Sequence, residues 1–403
     1  MSEVEAEVPA SKPLFTITEA MLDTGLRGFP VGTVRTSHVS PDLGVTYLGY
    51  PVEDLKDLSG EEVVYLLFHK TLPTKEQAAT FKADLAKRCV IDPAVFAAMK
   101  ALPKKGHPME WFLAAINLLG MTGKTGDYRE GCLNIIARIT SVTAAIYRIR
   151  EGLGDPIPPR HDLPLHENFV HMLGIKKAHP VLPDLLRLFY VLHMDHGGGN
   201  LSTFVGKAVA SGKADMYSSI VGAMAALYGP RHGRANQECL EFVKLVGIAD
   251  PKAAEAKVRG ILKGGGLVFG FGHAVLRAED PRAKIQYDFA KKHFPNDPLL
   301  AVAHTLRGVV PPILKENPKI ANPYPNVDAV SGSLMTAAGL TDPEYYTLLF
   351  GWSRVAGIAC QIVDERIVKG KKDGFPIYRP KYLPVDQPAK RLQPQGTPAS
   401  AAK

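Results

Sequence analysis

The fold turns on DPLLAVAHTL, residues 297–306. Asp297 accepts the free amides of a first helical turn, and Pro298 gives up an N–H that has no partner there. Apolar residues then recur at helical spacing. The same start stands at Asp92-Pro93 before AVFAAMKAL, at Asp250-Pro251 before KAAEAKVRGIL and at Asp342-Pro343 before EYYTLLF. Capping boxes at Ser59 with Glu62 and Thr74 with Gln77 mark two more helices. Helical periodicity runs through EEVVYLLFHKTL, MEWFLAAINLLG, LPDLLRLFYVLHM and SIVGAMAALYG. Strand signals are scarce: TVRTSHVS and GVTYLGY predict one short N-terminal β-hairpin around Pro41–Gly44. Strands and helices do not alternate, so the pattern predicts a mainly α fold and not a doubly wound parallel sheet.

The chain has 403 residues, 46% of them hydrophobic, which suffices for a large core and two or three folding units. No apolar run reaches the length that spans a bilayer, so no membrane partner is expected. The net charge of +8 attracts anions. No helix carries a continuous basic face, so anionic small molecules are expected and nucleic acid is not. The opening MSEVEAEVPASKP lacks the basic start and apolar stretch of a secretory signal and the arginines of an organelle-targeting helix, so a cytoplasmic protein is expected. Residues 1–12 and 386–403 are poor in large apolar groups and are expected to be disordered. GLGDPIPPRHDLP, 152–164, reads as a Pro-rich surface connection. Cys89, Cys132, Cys239 and Cys360 are far apart with no metal spacing, and are expected to be reduced and buried.

Nucleotide-binding glycine fingerprints are missing. The glycines gather instead in HMDHGGGN (193–200), GPRHGRANQ (229–237) and GGGLVFGFGHAVLRAEDPR (264–282), each with a histidine beside them. Glycine permits positive φ and a close backbone approach to a ligand. His193, Asp195 and His196 raise a metal reading, but no further ligand completes the set, so no metal is expected. A serine hydrolase is disfavoured because no G-x-S-x-G elbow occurs. Asp328 is the lone acid of NPYPNVDAVSG, 322–332. A carboxylate kept in apolar surroundings is poorly hydrated and suited to act as a base. Arg354 lies inside the apolar helix TLLFGWSRVAGIACQIV, either as an ion-pair partner or as a clamp for a substrate carboxylate.

GPRHGRANQECLEFV, FGFGHAVLRAEDPR and NPYPNVDAVSG, in that order, resemble the three active-site segments of citrate synthases. HMDHGGGNLST, LLFGWSRVAGIACQ, GLRGFPVGTVRTSHVS and GYPVEDL fit the same family, in the wording of its eukaryotic-like dimeric type. The resemblance implies a nearly all-helical fold, with a large domain of 13–232 and 334–385 and a small domain of 233–333. It implies condensation of acetyl-CoA with oxaloacetate by a homodimer, with no metal or organic cofactor. Asp328 would take a proton from the acetyl methyl, His232 would bind the thioester oxygen, and His273 would polarise the oxaloacetate ketone. His196, Arg282, Arg354 and, from the partner subunit, Arg379 would hold oxaloacetate. Arg277 and the backbone of Gly270, Phe271 and Gly272 would hold CoA. Leu48, Arg231, Arg234 and Gly197 depart from the family's usual residues. They keep open a 2-methylcitrate or longer alkylcitrate synthase, and a non-catalytic binding relative is the alternative from another class.

Overall fold

Every Asp-Pro start read from the sequence opens a helix. Asp92, Asp250 and Asp297 accept first-turn amides and precede helices Pro93–Lys100, Pro251–Lys263 and Pro298–Lys315. Asp342 accepts from the Glu344 amide at 2.9 Å, at the head of Glu344–Val363. Both capping boxes form, ahead of Gly60–His69 and Lys75–Arg88. A third box, unread in the sequence, pairs His107 with Glu110 and opens Pro108–Gly123. There an imidazole nitrogen does the work of a hydroxyl or carboxylate.

A computed structural model describes residues 14–41, 43–273, 275–368 and 376–384. The two tails expected to be disordered lie outside these residues. Sixteen α-helices are present among the described residues, so the mainly α expectation holds. The hairpin forms from Ser37–Ser40 and Gly44–Tyr47, antiparallel, with Ser37 opposite Tyr47. A short third strand, Tyr50–Pro51, extends it and was not expected. Residues 152–164 contain no helix or strand, as expected of a connection. All four cysteines are free and buried.

Two apolar helices run through the core, Tyr128–Arg150 and Glu344–Val363. Tyr128–Arg150 is long and apolar enough to cross a membrane, but its most apolar window is 83% buried inside the protein. Three consecutive residues pin Glu344–Val363 to its surroundings. Trp352 Nε1 donates to Thr140 Oγ1 at 2.9 Å, Ser353 Oγ donates to the Tyr190 carbonyl at 2.6 Å, and Arg354 Nε donates to the His193 carbonyl at 2.8 Å. All three are almost wholly buried. Gly357, one turn on, passes so close to the chain that a Cβ there would lie 2.2 Å from the Met194 carbonyl oxygen. Only glycine lets the helix approach that closely.

Helices Ala235–Val246, Pro251–Lys263, Pro281–His293, Pro298–Lys315 and Asp328–Ala337 pack mainly on one another. The loop before Pro281–His293 meets the segment between the helix ending at His193 and the one beginning at Leu201, and the candidate site is built there.

Candidate active site

Helix Leu182–His193 ends where its glycine-rich continuation begins. Asp195 shapes the next turn and is fully buried. Its carboxylate accepts from Thr36 Oγ1 at 2.6 Å, from Gln361 Nε2 at 2.8 Å and from the His196 amide at 2.8 Å. Its own amide donates to the Tyr47 hydroxyl at 3.2 Å. Hairpin, loop and core helix thus converge to aim His196. Gly197 follows at φ +67°, and its amide donates to Ser37 Oγ at 2.7 Å. A side chain at this position would be strained.

His196 meets His273, with the two Nε2 atoms 3.4 Å apart. His273 Nδ1 accepts from the amides of Val275 and Leu276, both at 3.0 Å. The ring proton therefore sits on Nε2, on the side of His196. Burial, with the nearby Arg282 charge, brings His273 down to about 4. Burial, then Arg282 and Arg354, also holds His196 well below the ordinary imidazole value. Both rings are neutral at pH 7.

His232 is oriented the other way round. Its Nε2 accepts from the Ser202 amide at 3.2 Å and lies 2.9 Å from Ser202 Oγ, which leaves Nδ1–H as the donor. Burial, and then Arg354, lowers it to about 4. Ser202 sits in the first turn of Leu201–Ser211, a helix capped by Asn200 Oδ1 on the Thr203 amide at 3.1 Å. Asn200 Nδ2 also donates to the carbonyls of His196 and Gly197, both at 3.1 Å. One helix start thus holds both His196 and His232.

Asp328 begins helix Asp328–Ala337. Burial, only partly offset by Arg282 and Arg354, raises its carboxyl from 3.8 to about 6. It is ionised at pH 7 yet more basic than a surface carboxylate. The strand-like stretch before it is fastened to the loop that bears His273. The Gly272 amide donates to the Tyr324 carbonyl at 2.9 Å, and the Asn326 amide to the Gly270 carbonyl at 2.9 Å. Asn326 Nδ2 adds a bond to the Gly272 carbonyl at 3.0 Å. Gly270 has φ +80°, and a Cβ there would lie 2.8 Å from Ala329 Cα, so this seam also depends on glycine.

Arg282 and Arg354 are each 2% exposed. Arg282 is forked by Asp280, with Nε to Oδ1 at 3.0 Å and Nη2 to Oδ2 at 2.7 Å. Burial alone would weaken the Arg282 charge, but Asp280 outweighs it and Arg282 stays firmly cationic. Among the described residues, Arg354 bonds the His193 carbonyl through Nε and no carboxylate. Burial lowers it to about 10, still charged at pH 7. Its terminal nitrogens lie outside that bond. Two buried guanidiniums, neutral imidazole donors and one basic carboxylate are therefore gathered together, each histidine and Asp328 feeling the charge of Arg282, Arg354 or both. Such a set can hold a dicarboxylate, remove a proton from carbon and stabilise the oxygen charge that follows.

Arg277 is exposed, and its amide donates to the Pro41 carbonyl at 3.1 Å, beside the hairpin turn. Arg379 is exposed on the segment 376–384, apart from the buried arginine pair. The sequence reading missed Asp195 as an orienting residue, Ser202, Asn200 and Asp280. Asp280-Pro281 is a fifth Asp-Pro helix start, capping Pro281–His293 within the segment read for its glycines. Asp195 is committed to Thr36, Gln361 and His196.

The family model described as citrate synthase, C-terminal domain, matches residues 25–381. The chain belongs to the citrate synthase family. Citrate synthase 4, mitochondrial, of Arabidopsis thaliana is 37% identical, over 93% of this chain and 83% of that protein. The mitochondrial citrate synthase of Xiphias gladius is 36% identical, over 92% of this chain and 84% of that one. Among solved structures, citrate synthase from Thermotoga maritima MSB8 superposes with a TM-score of 0.80 at 28% identity, covering 93% of this chain and 98% of that one. A ternary complex of carboxymethyl coenzyme A and oxaloacetate with the citrate synthase of Thermoplasma acidophilum also gives 0.80, at 26% identity over 92% and 98% of the two chains. Like other citrate synthases, the protein is an enzyme of the acyl-transferring, condensing kind. The expected cytoplasmic location is corrected, because the curated citrate synthases it matches are named as mitochondrial. That expectation rested on residues 1–13, which lie outside the described chain.

Proposed function

We propose that the protein condenses acetyl-CoA with oxaloacetate and hydrolyses the resulting thioester to citrate and CoA, in the mitochondrial setting of its named relatives. The observation that carries this reading is the tautomer pair. His232 offers Nδ1–H and His273 offers Nε2–H, both from neutral rings, and Asp328 adds a carboxylate of raised basicity that shares the field of Arg282 and Arg354.

In this reading Asp328 takes a proton from the acetyl methyl carbon. His232 donates to the thioester oxygen as it gains charge. The methyl carbon then attacks the ketone of oxaloacetate, and His273 supplies a proton to the oxygen of the new alcohol. Each such proton-transfer partner is worth about 10²–10⁴ in rate. His196, Arg282 and Arg354 hold the diacid, while Arg277 and the Gly270–Gly272 backbone serve CoA. Water then releases CoA and citrate. Acyl-CoA is a substrate, and the chemistry needs no metal or organic cofactor.

We also read the chain as two domains, 233–333 against 13–232 with 334–385, working as a homodimer in which Arg379 reaches the partner's oxaloacetate. Both ends of the described chain support a partner. Leu14, Ile17 and Tyr382 are 86%, 61% and 85% exposed, large apolar groups without a core of their own.

The test is release of free thiol from acetyl-CoA, propionyl-CoA and hexanoyl-CoA in the presence of oxaloacetate. Acetyl-CoA is expected to give the highest kcat/KM. A higher value with propionyl-CoA overturns the acetyl assignment, and no thiol from any of the three leaves a binding protein.

A further inference from the structure

Arg379 follows Tyr378, and Tyr378 is held far more firmly than an exposed arm requires. Its hydroxyl donates to Glu365 Oε1 at 2.7 Å and its amide donates to Ser211 Oγ at 3.0 Å. Its ring meets Phe204 edge-on at 5.7 Å between centroids. Glu365 is buried, in the short π-helical turn Asp364–Val368 that continues the helix of Arg354. The other carboxylate oxygen of Glu365 lies 3.4 Å from the buried Lys207 ammonium. Lys207 in turn stands behind the His196 loop: a Cβ on Gly198 would lie 3.4 Å from its Nζ.

Phe204, Lys207 and Ser211 all belong to the helix Leu201–Ser211. The head of that helix fastens His196 through Asn200 and His232 through Ser202. Its far end fastens Tyr378. A rigid element of eleven residues thus joins the substrate loop to the base of the arm.

We propose that Tyr378 is a positioning residue for Arg379, its hydroxyl anchored on the buried Glu365–Lys207 pair so that the arm leaves the subunit at a fixed place and angle. This rests on the reading that Arg379 grips oxaloacetate in the partner subunit. The same anchor ties the arm serving one pocket to the helix that builds the other. Tyr378 remains a neutral phenol at physiological pH, because burial and then Glu365 push its ionisation upward.

Tyr378→Phe deletes the hydroxyl and keeps the ring on Phe204. A hydrogen bond to a buried charged acceptor controls the arm, so KM for oxaloacetate is expected to rise roughly three- to tenfold. KM for acetyl-CoA is expected to stay within about twofold, a split that general loosening of the fold does not produce. On an Arg379→Ala background the same change is expected to have no further effect on KM for oxaloacetate. If Tyr378→Phe leaves that KM unchanged while Arg379→Ala raises it, the anchor is overturned and the role of Arg379 stands. If both changes raise KM independently, Tyr378 acts by another route and the inference fails. If Arg379→Ala itself leaves oxaloacetate KM unchanged, the reading of Arg379 falls and the inference with it.

Discussion

His196 and His273 stand Nε2 to Nε2 at 3.4 Å, although they are 77 residues apart in the chain. The backbone amides on His273 Nδ1 force its proton toward that meeting point. A ketone oxygen placed there meets a neutral donor whose direction is already set, which is how a preorganised site lowers a barrier. His273→Ala is expected to lower kcat by about 10²–10⁴ and to change KM for acetyl-CoA much less. Steady-state kinetics with each substrate varied checks this, and near-normal kcat overturns the role given to His273.

Asp328→Asn keeps the shape of the side chain and removes the base. Turnover is expected to fall by at least about 10³, while oxaloacetate still binds, read by calorimetry. In the intact enzyme Asp328 must be ionised, so kcat/KM for acetyl-CoA is expected to fall on the acid side with an apparent pKa near the value of about 6 set by burial. A flat profile down to pH 5 removes Asp328 from the proton transfer.

Stability should also fall with acid. His232 and His273 are held near 4 in the fold, against 6.5 for an ordinary imidazole. Between those values the unfolded chain binds more protons than the folded one, so lowering the pH through that window favours unfolding. Asp328, raised from 3.8 to about 6, acts in the opposite sense and offsets part of the loss. The urea midpoint is expected to be lower at pH 5 than at pH 7, and His273→Gln is expected to narrow the gap. An unchanged gap in that variant excludes His273 as a source.

Asp280→Asn leaves Arg282 cationic, 2% exposed and without its carboxylate. Breaking a buried pair from one side costs about 3–5 kcal/mol. Equilibrium denaturation is expected to show a loss of that order, together with weaker oxaloacetate binding. A loss below about 1 kcal/mol indicates that Arg282 finds another partner.

Gly357→Ala drives a methyl group into the Met194 carbonyl, 2.2 Å from the added carbon, and against Asp195 Cβ at 2.8 Å. Overpacking of this kind costs about 1–3 kcal/mol. Because the chain that must yield carries His196, KM for oxaloacetate is expected to rise as well. Wild-type stability and KM in this variant exclude the close approach.

The helix starts were legible because capping is local: Asp92, Asp250, Asp297 and Asp342 each bond amides two or three residues away. His107 was missed because a histidine cap is chemically uncommon, and Asp280 because the glycines ahead of it suggested a loop. The three residues proposed for catalysis, His232, His273 and Asp328, were singled out by resemblance, and Asp328 also by its isolation among apolar neighbours. Asp195 was not. Its orienting bonds come from Thr36 and Gln361, 159 and 166 residues away, and no spacing within the chain announces them. Ser202 was hidden likewise, because its acceptor, His232, is brought to it only by the packing of two helix starts.

The seam that joins the Gly270–His273 loop to Tyr324–Asn326 has a kinematic meaning. His273 and Asp328 ride on one stiff plate, whereas His196 and His232 are bolted to the opposite wall through Leu201–Ser211. Each pair is therefore spaced by hydrogen bonds within its own face, not by contacts across to the other. In the proposed reaction, the pair on the plate would keep its mutual register whatever the distance to the wall that holds the diacid.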